Sequence, residues 1–94
     1  MIDLGPLTVS TERGVTRLEW ARYEGFSACF SAYRVLDGSS VMRIISDPDT
    51  AVFETDLLRP GSTHQLRVEA IRSTALGSFV TARTQMLGYV VPGE

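Results

Sequence analysis

Residues 64–70, read His-Gln-Leu-Arg-Val-Glu-Ala, alternate apolar and polar side chains without a break and follow the turn signal Arg59-Pro60-Gly61-Ser62. Successive side chains of extended backbone point to opposite sides, so this pattern reads as a strand with one face in a core. Similar runs recur along the chain, spaced about eight to twelve residues apart, and no helical period competes with them. Gly5-Pro6 precedes a first strand over residues 7–10. Thr16, Leu18 and Trp20 alternate inward in a second, and Ser31, Tyr33 and Val35 in a third that stops at Asp37-Gly38-Ser39-Ser40. A fourth run covers 41–46 and ends at Asp47-Pro48-Asp49, Phe53 and Thr55 belong to a fifth, and Val80, Ala82 and Thr84 close a seventh. The spacing predicts an all-β fold, seven strands in two antiparallel sheets.

The 94 residues fit one domain. A chain of this size buries about 60–65% of its unfolded surface, enough for a modest core without metal or disulfide. Cys29 is the only cysteine, so no internal bridge is available. Eleven acids against nine bases give a net charge of −2, which argues against a nucleic-acid binder working by phosphate neutralisation. All nine bases are arginine, and lysine and asparagine are both absent. That excludes Schiff-base lysine chemistry and Asn-X-Ser/Thr glycosylation. Both missing residues use AT-rich codons, which suggests a GC-rich, bacterial genome. The start MIDLGPLTVS has neither a basic region nor a long apolar one, and no run approaches ~18 apolar residues. Membrane insertion by this segment is therefore not expected, and a secretion signal or anchor is expected outside it.

The ordered set Leu7-x-Val9, Leu18-x-Trp20, Tyr33-x-Val35 and Leu58-x-Pro60-Gly61-Ser62-x-His64-x-Leu66-x-Val68-x-Ala70-Ile71 resembles a fibronectin type III domain. The resemblance runs from about residue 6 to residue 85 and implies an immunoglobulin-like sandwich over residues 1–86. It also implies a multi-domain, extracellular or cell-surface setting. Trp20, Tyr33, Val35, Leu58, Pro60, Gly61, Leu66, Val68 and Ala70 would build its core and its turn. In the family a tyrosine stands where this chain has His64, and its hydroxyl bonds back to the backbone near the turn. A histidine there is expected as a buried, neutral occupant of a structural corner.

Little argues for catalysis. A Cys29–His64 nucleophile pair needs hydrogen-bond contact. In the sandwich the two residues stand at opposite ends, on the order of 20 Å apart at ~3.3 Å per residue. Asp47, Asp49, Glu54 and Asp56 lack the Asp-x-Asp-x-Asp-Gly spacing of a calcium loop and read better as a solvated turn. Neither a nucleophile elbow, a phosphate-cradling glycine loop nor paired zinc ligands occur. No cofactor is implied.

Two surfaces are candidates for partners. By strand parity Arg34, Arg67 and Arg83, joined by Arg43, face outward on one sheet, where a stripe of guanidinium groups could bind carboxylate or sulfate. The plainer expectation is that they pair across strands with Glu69. The loop from Tyr23 to Ser27, with Phe30 after it, shares one end of the sandwich with the loop at 73–78 that carries Leu76. Recognition is commonly placed on such loops, although the plainer expectation is that Phe26 caps the core below Trp20. The segment 87–94 is expected as a C-terminal tail or linker. Its apolar content leaves room for it to continue the last strand or to dock, with Pro92-Gly93 as the boundary. These features together predict a non-catalytic spacer or interaction module. Its partners would be neighbouring domains of the same chain or a protein or glycan ligand; dedicated binding and self-association are the alternatives.

Overall fold

The computed structural model describes residues 2–93. Nine strands are present among them: β1 (Ile2–Asp3), β2 (Thr8–Glu12), β3 (Val15–Glu19), β4 (Ala32–Asp37), β5 (Ser40–Ile45), β6 (Val52–Thr55), β7 (Thr63–Thr74), β8 (Gly77–Arg83) and β9 (Leu87–Val90). A single 3-10 turn spans Ser27–Cys29. One sheet has the order β2-β3-β6, all antiparallel. The other runs β1-β8-β7-β4-β5, with β9 also pairing β7, and is antiparallel except for the two-residue parallel contact between β1 and β8. Strands β2 to β8 are the seven expected, arranged as a sandwich.

Local chemistry explains the element ends. Arg13 and Gly14, with φ of 54° and 80°, make the two-residue turn between β2 and β3, and paired positive φ suits the twist of such hairpins. At the other key turn the Ser62 amide donates to the Arg59 carbonyl at 3.1 Å across Pro60 and Gly61. Proline fixes φ at the second position and Gly61, at φ 80°, supplies the left-handed third, the combination a type II turn requires. Strand β7 then runs twelve residues, longer than its clean alternation suggested, because Ser73↔Ser78 and Thr74↔Gly77 continue its ladder with β8.

The core lies between the sheets. Leu18 comes from one, and Tyr33, Val35, Leu66, Val68, Ala70 and Ala82 from the other, all fully buried; Leu4, Leu7 and Trp20 close the space from flanking segments. The stretch after residue 86 is not a free linker over its first half. Leu87–Val90 pairs with Leu66–Thr63 of β7, and Leu87, Tyr89 and Val91 alternate toward the core, with Val91 only 1% exposed. Three apolar side chains at period two give this segment an inward face, so it returns to the sheet after the break at Thr84 to Met86. Pro92 and Gly93 are exposed.

Candidate functional site

His64 opens β7 opposite Tyr89 of β9 and is part-buried. Its Nδ1 lies 2.5 Å from Asp37 Oδ2, and its Nε2 lies 2.6 Å from Ser62 Oγ. Asp37 ends β4, and its other oxygen accepts the Gln65 amide at 3.0 Å, which holds the carboxylate in place. These are the separations of an acid–base–hydroxyl relay, and they bring together two residues that sequence reasoning did not connect with His64. The protons run the wrong way for a nucleophile, however. Ser62 Oγ donates to the Arg59 carbonyl at 2.5 Å, and a carbonyl can only accept, so Oγ must accept from Nε2. The Asp37 carboxylate can only accept, so Nδ1 faces it as the donor. The ring thus rebuilds the tyrosine's link to the turn in two steps, His64 to Ser62 and Ser62 to Arg59.

Cys29 lies far from this corner. Its carbonyl accepts from Thr81 Oγ1 at 2.9 Å, and the neighbouring Ser31 bonds to Ile71, seven residues along β7 from His64. At ~3.3 Å per residue this is about 23 Å.

Two of the four loop candidates need relocating. Tyr23 is buried, and its ring packs on Phe30 at 5.4 Å between centroids; Phe30 in turn meets Tyr33 edge-on at 4.8 Å, and Trp20 meets Tyr33 at 5.5 Å. These rings form one aromatic stack, so Tyr23 and Phe30 belong to the core rather than to a contact surface. Tyr33 is its polar centre. Its hydroxyl accepts the Tyr23 amide at 2.7 Å and donates to the Pro48 carbonyl at 2.6 Å, tying both loops at this end to β4. Burial holds the Tyr33 phenol above its ordinary value. Phe26 does not cap the core. It is 84% exposed, as Leu76 is 91% exposed at the tip of the β7–β8 hairpin. A shallow pocket of about 370 Å³ lined by Tyr23, Phe30, Pro48 and Asp49 lies at the same end.

The acidic residues near the β5–β6 turn are engaged elsewhere. Asp47 accepts from the Asp49 amide and from Thr50 Oγ1, Asp49 meets Arg22 at 3.3 Å, and Glu54 meets Arg17 at 3.4 Å. The first is an Asx-type turn, in keeping with the solvated-turn reading.

On the outer face of the larger sheet, Arg34, Glu69 and Arg83 form one row across β4, β7 and β8. Glu69, with 8% of its side chain exposed, binds Arg34 Nη2 at 2.7 Å and lies 3.4 Å from Arg67 Nε. Arg34 thus pairs with Glu69 across strands, whereas Arg67 contacts it only along β7 itself. Arg83 makes no ion pair among the described residues. Arg43 lies across from Val35 beside a register shift and does not extend the row; Ile44 takes that place opposite Arg34.

The chain matches no protein-family profile and no curated protein. Among solved structures it is similar to the crystal structure of the FN5 domain of Drosophila Lar, with a TM-score of 0.57 over 99% of this chain and 98% of that one, at 13% sequence identity. A likeness at that identity speaks to architecture alone. The sheet orders, the aromatic stack under the loops, the proline–glycine turn leading into β7 and this end-to-end superposition together give the chain the fibronectin type III fold.

Proposed function

We propose that this domain is a non-catalytic spacer and interaction module of a larger extracellular or cell-surface protein, of bacterial origin to judge from a composition without lysine or asparagine. One geometric observation carries the reading. Strand β1 stands beside Ala82, across from Ala70 of β7, whereas Val90 of β9 stands across from Thr63. The seven residues between those levels of β7 span about 23 Å at ~3.3 Å each. The first strand and the last thus occupy different levels of one elongated body, 45 × 22 × 19 Å, which suits domains arranged in series. The Ser62 hydroxyl, committed to the Arg59 carbonyl, supports the non-catalytic part of the reading.

The boundary of the module is placed at Pro92-Gly93, after Val91. A dedicated binding role is the second reading, favoured by Phe26 and Leu76 exposed at one end. The two separate in the parent protein: a Phe26→Ala/Leu76→Ala variant that retains every partner in co-precipitation supports the spacer, and loss of a partner supports loop recognition. Self-association through the C-terminal segment is disfavoured, because β9 already pairs within its own sheet. The free outer edge of β5 keeps a weaker form of that idea open to light scattering on the full chain.

A further inference from the structure

We propose that the outer face of the β8-β7-β4-β5 sheet docks an extended protein segment that presents two acidic side chains followed by an apolar one. The inference rests on the interaction-module reading and gives it a surface and a partner chemistry. Register places Arg83, Glu69, Arg34 and Ile44 in one row across the four strands. Arg67 lies two residues from Glu69 on the same face, and Val41, opposite Leu36, lies beside Ile44's end of the row. Three guanidinium groups here face two carboxylates, Glu69 and the Asp3 that stands beside Arg83, so one positive charge is in excess. Asp3 is itself partly engaged, accepting the Gly5 amide at 2.9 Å.

Donors exceed acceptors by more than the charge count suggests, since each guanidinium offers five N–H groups. Arg34 gives one to Glu69, and Arg67 makes only a long contact with it. Glu69 also fixes the Arg34 side chain in place, which lowers the ordering cost of binding a further carboxylate there. Apolar groups adjoin these donors: Val41 is 48% and Ile44 60% exposed, while Leu36 and Ile71 are covered on the same face. Arginine mixed with exposed aliphatic surface is the composition of a protein interface, whereas a sulfated glycan finds nothing in Val41 or Ile44 to contact.

The spacing selects the segment. Strands lie about 4.8 Å apart, so Arg83 to Ile44 is about 14 Å. In an extended segment crossing the strands, alternate residues face the sheet every ~6.7 Å, and the first, third and fifth span about 13 Å. An acid at the first position meets Arg83 and Arg67, one at the third meets Arg34, and an apolar side chain at the fifth meets Ile44.

The test is a titration of the full chain, followed by amide chemical shifts, with the blocked peptide Ser-Glu-Ser-Glu-Ser-Val-Ser, its glutamine analogue, and a heparin-derived octasaccharide. Saturable shifts at residues 34, 44, 67 and 83 are expected with the glutamate peptide, together with binding weakened roughly fivefold or more in Arg67→Gln/Arg83→Gln. Arg83→Gln alone, at an exposed site, serves if the double variant folds poorly. Absence of saturable shifts, equal binding of the glutamine analogue, or binding of the octasaccharide alone overturns the proposal. If binding depends instead on Phe26 and Leu76, this face is excluded while the interaction-module reading stands.

Discussion

Asp37 Oδ2 sits 2.5 Å from His64 Nδ1, and this pair joins the end of β4 to the start of β7 at the turn that Ser62 closes. Both side chains are largely covered, at 28% and 13% exposure, so the contact is better shielded than a surface ion pair. A double-mutant cycle of Asp37→Ala and His64→Ala should give a coupling of about 1 kcal/mol. Additive losses in denaturant unfolding would show that the pair contributes nothing of its own.

Restoring the tyrosine usual at this position should not stabilise the protein. In His64→Tyr the longer ring competes with Ser62 for the Arg59 carbonyl, and Asp37 loses its ring partner. A loss of about 1–2 kcal/mol is expected, the cost of a part-buried acceptor left to water. An unfolding midpoint equal to or above wild type would overturn the relay from His64 through Ser62 to the turn.

Tyr33→Phe removes one oxygen and leaves two groups without their partner, the Tyr23 amide and the Pro48 carbonyl. A loss of about 2–4 kcal/mol follows from two stranded polar groups. Trp20→Phe, by contrast, strands nothing, because the indole N–H has no partner among the described residues. Its cost is one of packing only, about 1–2 kcal/mol, and equal losses in the two variants would count against the hydroxyl's role.

The same phenol predicts an alkaline limit. Burial raises its folded value above that of the unfolded chain, so the neutral form is favoured in the folded state. The contribution is complete below the unfolded value of ~10 and is lost as pH rises through the folded value. Denaturant midpoints at pH 8 and pH 11 should fall further in wild type than in Tyr33→Phe. Parallel falls would assign the sensitivity to other groups.

Much of this fold was legible because the code for strands is local. His64 to Ala70 announced β7, and the aromatic order of Trp20, Tyr33 and the proline–glycine turn identified the architecture. The candidate site was less legible because its partners are distant in sequence. Asp37 meets His64 only through the register that sets Asp37 opposite Leu66, which no alternation pattern reveals. Their place between strands makes Tyr23 and Phe30 look like loop aromatics, yet the two rings pack on each other and, through Phe30, on Tyr33 of the core. Ser62 reads in the sequence only as part of a turn, although its hydroxyl is what lets a histidine reach the Arg59 carbonyl.

The last strand should prove indispensable. A chain truncated after Met86 loses the β9 ladder, the Tyr89 hydroxyl bond to Thr11 Oγ1 at 2.6 Å, and buried Val91. Val91→Ala alone should cost about 1–3 kcal/mol through lost burial, and the truncation considerably more. A truncated chain with unchanged midpoint would return residues 87–91 to the status of a linker.

The arrangement of β1 and β9 has a mechanical consequence. Tension between the chain's ends runs along both strands, in opposite senses, against the shared backbone of β8 and β7. Hydrogen bonds loaded lengthwise in this way must fail together rather than unzip one by one. In a fibre of such units the seams of these terminal strands would set the force at which the first one yields.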